Sequence, residues 1–467
     1  MLRVGYVATP IYWTFDGISI GDLSIGYSSS DIHTWLLSSV EYALTLGDSL
    51  TTTTMLDLVQ NCIDLFFQYM FPSTPIAHEG MLRTAASMIS PENHPSLSSV
   101  NILSGNHANI SYAKSFTLIT ALCAFVTSVV PESLLLCRNL VTAPFLQSSR
   151  AMLRLYEDHD LEQPDSTSLT IRIWQSGALQ NSSGRKEGAW HIHSEASLLA
   201  LRLRLYDETA IRRESSVESK LLRMNFWLLY SADKAAAALE SRLSVLNEAL
   251  FESDLTLLEN NHRDEPLLDE AKKSMQVDVE RCIAKGFHLK TQVWAAGARV
   301  ITGLKNLFRF QMRSDWIAEN RNSEIMLISQ ANVDFITLIH KLPAWLQRPE
   351  TDNNGAAMTA YQKTCFWVQR SNIMTAYHCL KLIILQKCIE NDMLEVLGLS
   401  RQPLSWAVRK AEIVQDFINE LQIVPFICYK VQGEAGVSER CSLSYQNVEW
   451  ILTIHRLSVF GTLLVFF

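Results

Sequence analysis

The stretch Ser215–Lys234, SSVESKLLRMNFWLLYSADK, decides the fold class. Ser215 and Glu218 have the S-x-x-E spacing of a capping box, in which the hydroxyl and the carboxylate satisfy orphan amide hydrogens at a helix start. Leu221, Leu222, Met224, Phe226, Trp227, Leu228, Leu229 and Tyr230 then surround nearly the whole circumference, which predicts a helix buried on most sides with Trp227 as a core anchor. Arg223 and Asp233 stand inside this apolar helix, where an unpaired charge is costly. Ten residues separate them, about 15 Å along the axis, so they cannot pair with each other and each needs its own partner.

Outward from this segment the same periodicity continues. Ala189, Ile192, Ala196, Leu199, Leu203 and Tyr206 step by three and four, as do Val293, Gly297, Val300, Leu304 and Leu307, and Ala407, Ala411, Val414, Ile418 and Leu421. Beyond the first 30 residues almost no stretch shows the period-two alternation of a strand. The expectation is an all-α, extended multi-helix domain of roughly fifteen helices with no regular repeat. The chain divides on this reading into residues 1–50, an N-terminal segment, partly irregular; 51–260, a helical region; and 261–467, the C-terminal helical part of the same domain. Polar breaks are expected at Phe71–Pro75, Pro91–Asn106, Glu157–Asp165, Asn181–Gly188, Asn261–Pro266, Pro349–Gly355 and Gly433–Ser438, with Glu259–Pro266 the internal boundary.

Composition narrows the function classes. The 467 residues carry 40 Lys+Arg against 48 Asp+Glu, a net charge of −8, which argues against a generally basic nucleic-acid binder, and 48% hydrophobic residues allow a sizeable core. Nine cysteines without a C-x-x-C pair give no readable zinc module. The N-terminus lacks the pattern of a secretory signal, so an intracellular chain with reduced thiols is expected. The apolar run Leu457–Phe467 is too short to span a bilayer.

Other motifs favour structural roles. Gly17-Ile18-Ser19-Ile20-Gly21 matches G-x-S-x-G but lacks the strand-to-helix context that exposes a nucleophilic serine. His191 and His193 are two apart on a helix, cannot grip one ion, and are expected to flank a buried Ile192. Glu157, Asp158, Asp160, Glu162 and Asp165 resemble no calcium loop and read as a solvated loop. Arg202, Arg204, Arg212, Arg213, Lys220 and Arg223, set against Asp207, Glu208, Glu214 and Glu218, read as an ion-paired surface.

Glu218, Arg223, Trp227, Leu228, Leu229, Tyr230, Asp233 and Lys234 together resemble the arginine, tryptophan, tyrosine and aspartate helix in the central regulatory region of fungal zinc-cluster transcription factors. Upstream, Ala189-Trp190 and Ala196–Tyr206 are similar to that family's alanine-rich helix, with Leu203-Arg204-Leu205-Tyr206 where its Leu-Gly-Leu-His falls. Phe66 through His78 resembles its opening element, an aromatic helix ending in a proline turn and a histidine. The three elements keep the family's order over about 55–260. The Gly-Arg-Pro that follows the family's aspartate is replaced here by Glu240-Ser241-Arg242-Leu243. The family's six-cysteine zinc cluster has no counterpart in the sequence. Two readings of that difference stand: the chain is part of a longer gene product, or it acts without its own DNA-binding module.

The resemblance implies a nuclear transcriptional regulator of a metabolic or secondary-metabolite gene set. Glu218, Arg223, Trp227, Tyr230 and Asp233 would be its structural and regulatory motif residues, with no catalytic, DNA-binding or metal residues and no cofactor. Implied partners are transcriptional proteins, a DNA-binding partner or a second copy of the chain, and a small-molecule effector, with no membrane and no sequence-specific DNA contact of its own. The rival reading is an α-helical enzyme with an internal pocket for an apolar small molecule.

Overall fold

Every regular element is helical in the computed structural model, which describes residues 28–47, 54–87, 107–239, 242–251, 255–257, 265–269, 279–311, 318–350 and 358–433. The α-helices are α1 Ser29–Gly47, α2 Met55–Leu65, α3 Glu79–Ser87, α4 His107–Val129, α5 Arg138–Leu155, α6 Glu157–Glu162, α7 Ser166–Ser183 and α8 Lys186–Arg202. There follow α9 Glu208–Ile211, α10 Ser216–Leu239, α11 Val279–Gln311, α12 Ala318–Thr337, α13 Ala344–Gln347, α14 Ala360–Glu390, α15 Pro403–Ile423 and α16 Phe426–Lys430. The fold is all-α and without a regular repeat, as the periodicity predicts. The G-x-S-x-G stretch, the break Pro91–Asn106 and the run Leu457–Phe467 lie outside the described residues.

One centre of packing is α4, which lies against α2, α3, α5 and α7. By length and hydropathy Ala108–Val129 could cross a membrane, yet most of it is buried among these neighbours. Its threonines fit that setting because Thr117, Thr120 and Thr127 return their hydroxyls to carbonyls four residues back at 2.6–2.8 Å. A second centre is α11 against α14, flanked by α10, α12, α15 and α16. The two are joined by α10, which contacts both α7 and α11, and by the aromatic turn after α2, which packs on α14. That turn is a π-helical continuation of α2 over Phe66–Met70, closed by Phe71 N–H donating to the Phe66 carbonyl at 2.8 Å. Across it, Gln369 Nε2 of α14 donates to the Pro72 carbonyl at 2.8 Å and to the Ile283 carbonyl of α11 at 2.7 Å. One amide side chain thus fastens three elements, and Gly286 leaves it room: a Cβ there would lie 2.3 Å from Gln369 Oε1.

Three sequence expectations are corrected. The acidic run Glu157–Asp165 is not a solvated loop. It forms α6 and buries Asp160, whose carboxylate takes Arg172 Nη1 at 2.6 Å and Ser168 Oγ at 2.6 Å. A guanidinium in the core needs a carboxylate, and a short helix is the local means of delivering one. The break at Asn181–Gly188 shrinks to Gly184-Arg185, where Gly184 takes φ +63° and lets α7 stop and α8 start at once. On α15 the expected stripe is rotated: Ala407 and Ala411 are exposed, while Ile413 and Glu420 are buried. Arg370 of α14 pairs with Glu420 at 2.8 Å and turns that face inward.

The stretch near the expected boundary is strapped down. Glu280 of α11 accepts Leu267 N–H at 2.9 Å and Leu268 N–H at 3.2 Å. The buried Glu79 of α3 accepts Asp269 N–H at 3.2 Å. Lys220 of α10 reaches the Glu265 carbonyl at 2.9 Å and pairs with Glu280.

Replacing Arg172 by Met is expected to leave Asp160 charged and short of its main partner in the core and to cost about 3–5 kcal/mol in urea unfolding. A loss below about 1 kcal/mol would place this ion pair among ordinary surface pairs.

Candidate functional site

The five motif residues all lie on α10, and most of them point to different neighbours. At its start, Glu218 N–H donates to Ser215 Oγ at 3.3 Å, one half of the predicted capping box. The other half is not made. The Glu218 carboxylate instead accepts Ser166 N–H at 2.7 Å and Ser166 Oγ at 2.6 Å, so it caps the adjacent α7. Burial raises the Glu218 pKa, and the bonds from Ser166 oppose that rise. Boxes that the sequence reading passed over start α2 (Thr54, Asp57), α7 (Asp165, Ser168) and α14 (Thr359, Gln362).

Arg223 pairs with Glu208 of α9, Nη2 to Oε1 at 2.5 Å and Nε to Oε2 at 3.0 Å, both side chains buried. Lys220 is buried as well, so two of the six residues assigned to an ion-paired surface belong to the core. Asp233, 1% exposed, holds the turn after α10: it accepts Ser244 Oγ at 2.5 Å, Val245 N–H at 2.8 Å and Leu246 N–H at 3.3 Å. Lys234 continues that grip on the Leu246 carbonyl at 2.8 Å and lies 4.7 Å over the Tyr230 ring. Each charge has a separate partner, as their spacing requires.

Trp227 and Tyr230 are the two motif side chains brought together, ring centroids 5.5 Å apart. Trp227, expected as a core anchor, packs against two buried clusters without being fully buried itself. It is half-buried, stands edge-on to His288 of α11 at 5.8 Å, and its indole N–H is buried without a hydrogen-bond partner. With Tyr230, Glu248, Thr291 and Arg299 it borders a cleft of about 410 Å³. Tyr230 donates its hydroxyl to Glu248, and burial and then that bond raise its pKa. On the opposite flank of α10 lies a second cleft of about 300 Å³, bordered by Trp190, His193, Ser231, Ala235 and Trp294.

His191 and His193 flank the buried Ile192 as read. His191 is exposed and 3.3 Å from Glu195. The His193 ring stacks on Trp190 at 5.4 Å, and burial holds its pKa down to about 4 against the pull of Asp233. No group of three or more His, Cys, Asp or Glu side chains among the described residues is placed to hold a metal ion.

Two features escaped the sequence reading. Thr170 of α7 donates to the Ile76 carbonyl at 3.2 Å, and its hydroxyl also faces the buried Asn225 amide of α10 at 3.2 Å. The opening aromatic element, α7 and the motif helix therefore meet at one buried hydroxyl. Arg204, which stands where the resemblance places a glycine, ends α8 with φ +54°, while Leu205 N–H closes back on the Ala200 carbonyl at 3.0 Å. The chain matches no family model, no curated protein and no solved structure.

Arg204→Gly is expected to relieve the left-handed strain and raise stability by about 1 kcal/mol, read as a higher urea midpoint; an unchanged or lower midpoint would contradict it. A second expectation concerns acid. His193 and His378 both have folded-state pKa values near 4, below the ordinary 6.5. The unfolded chain therefore takes up protons first, so their contribution is complete above about pH 7 and is lost as pH falls from about 6.5 toward 4, by up to about 1.4 kcal/mol per pH unit for each histidine. His378 is buried with neither ring nitrogen hydrogen-bonded and packs 5.4 Å from Phe417. In urea melts at pH 7, 6 and 5, His378→Phe should flatten the slope; a slope equal to that of the parent chain would rule His378 out as a source.

Proposed function

We propose that the chain is a non-catalytic, nuclear transcriptional regulator of a metabolic or secondary-metabolite gene set. It acts through its all-helical domain on protein partners, a DNA-binding partner or a second copy among them, and responds to a small-molecule effector. The observation that carries this reading is the meeting of two of the three resembling elements at Thr170 of α7, where Ile76 and Asn225 share one buried polar contact, while the third, on α8, packs against both α7 and α10. Stretches far apart in the chain resemble one family in order, and they pack as one unit. The left-handed Arg204 at the family's glycine position supports it too, because that is the backbone state a glycine serves. So does the engagement of Glu218, Arg223 and Asp233 in structural contacts, which leaves none of these charges turned to either cleft. The enzyme reading asks for an apolar pocket, and both clefts have charged walls, with Lys186 and Lys290 on one and Glu248 and Arg299 on the other.

The test is to tether the full chain to a heterologous DNA-binding domain upstream of a reporter. Output should rise or fall several-fold, and Asn225→Leu, which breaks the joint at Thr170, should abolish the effect at equal protein abundance. An unchanged reporter in either direction, with the chain expressed and folded, would sink the proposal.

A further inference from the structure

Between α9 and α10 the chain carries its one Arg-Arg pair, in the stretch Ile211-Arg212-Arg213-Glu214-Ser215-Ser216-Val217-Glu218. Of the basic residues between Arg202 and Arg223, Lys220 and Arg223 are drawn into the core, whereas these two arginines stay outside it. As sequence, the stretch presents two patterns to a protein kinase, and both point at the same hydroxyl. Arg212 and Arg213 lie three and two residues before Ser215, the spacing an arginine-directed serine/threonine kinase selects. Glu218 lies three residues after it, the spacing an acid-directed kinase selects. A kinase reads such charges only through side chains that reach it, so exposure decides between the two.

Residues 212–216 are all exposed, and 212–215 lie between helices. The Arg212 side chain is 67% exposed; Glu208 stands 3.8 Å from it with both carboxylate oxygens bonded to Arg223. The segment has a fixed footing, because the buried Ser219 donates its hydroxyl to the Ile211 carbonyl at 3.0 Å and Glu214 N–H donates to the same carbonyl at 3.0 Å. Glu218 is in the opposite state. It is half-buried, and its carboxylate accepts Ser166 N–H at 2.7 Å and Ser166 Oγ at 2.6 Å, so offering it to an enzyme would unmake the cap of α7. The fold keeps the arginine pattern and withdraws the acidic one.

The position of the hydroxyl also suits a phosphate. Ser215 immediately precedes α10, and its Oγ accepts Glu218 N–H at 3.3 Å, a long bond that a phosphate oxygen at a helix start can take over. Ser216, one residue on, is already inside α10, and its Oγ accepts Glu265 N–H at 3.2 Å, which ties it to residues 265–269.

We propose that Ser215 is a phosphorylation site for a serine/threonine kinase of the arginine-directed class, with Mg²⁺-ATP as donor. The Ser215 oxygen gives its proton to the kinase's catalytic carboxylate and bonds to the γ-phosphorus; the bond from that phosphorus to the β–γ bridging oxygen breaks, and ADP leaves. The product carries about two negative charges at the start of the motif helix, beside Arg212 and Arg213 and three residues from the carboxylate that caps α7. The site is independent of the transcriptional reading, since recognition and transfer need nothing but the exposed turn.

The test incubates the purified, folded full chain and Mg²⁺-ATP with the catalytic subunit of cyclic-AMP-dependent protein kinase, or with casein kinase 2 as the acid-directed comparison, and maps phosphopeptides by mass spectrometry. The expected result is near-stoichiometric phosphate on Ser215 from the first enzyme and transfer slower by about tenfold or more from the second. Ser215→Asn, which keeps a side-chain cap on α10, should remove the modification while melting as the parent chain does. Arg212→Gln combined with Arg213→Gln should slow transfer by about tenfold or more, again at the parent's melting temperature. Arg213→Gln alone serves if the double variant fails to fold. No phosphate on the folded chain overturns the proposal, as do phosphate on Ser216 or elsewhere with Ser215 unmodified, casein kinase 2 as fast as the first enzyme, or an unchanged rate in a folded arginine variant.

Discussion

A guanidinium that is 1% exposed must be answered by a carboxylate, and much of the N-terminal half is arranged around meeting that condition for Arg172. Asp160 reaches it only because the chain after α5 turns at Tyr156 and coils once more as α6. Ser168, one turn before Arg172 on α7, donates to the same carboxylate, and Lys114 of α4 approaches it at 3.5 Å. The ion pair thereby fixes the rotation of α7 against α4 and α6. That rotation presents Thr170 to Ile76 and Asn225, and so sets where the motif helix lies. The gain from such a pair over an apolar replacement is small, but the loss when one partner is missing is large, so it specifies an arrangement more than it adds stability.

The same economy recurs wherever a carboxylate is found inside. Glu218 closes the first turn of a helix other than its own, Glu280 and Glu79 hold the amides of residues 267–269, and Asp233 holds those of 245 and 246. Irregular backbone next to a core needs partners for its amide hydrogens, and ionised carboxylates make the stronger bonds. These straps hold the described residues 244–246 and 265–269 against α3, α10 and α11.

The motif helix is thus a hub with charged spokes, and of its aromatic residues Phe226 is fully buried while Trp227 and Tyr230 reach the edge of a cleft. Trp227 and Tyr230 border one cleft, the alanines on the other flank border the second, and the charges are spent on holding neighbours. Such a helix is well placed to pass a change in one cleft to several elements at once. That is the physical content of the regulatory role proposed above.

The amino-acid sequence by itself determined that the chain is helical, since periods of three and four recur in nearly every readable segment, and that Arg223 and Asp233 need separate partners, since helix geometry keeps them apart. It also held the order of the three resembling elements. It did not determine which carboxylate serves which charge: the acidic run at 157–165 reads as solvent-facing until Arg172, twelve residues beyond Asp160, is folded back on it. Nor did it reveal that α15 turns Glu420 inward, that Glu218 caps a neighbouring helix, or that Trp227 borders a cleft. Periodicity reports only that a face is buried, because burial of apolar surface is non-directional. Which face meets which neighbour is decided by ion pairs and hydrogen bonds with fixed geometry between residues remote in the chain, and those exist only once the helices are packed.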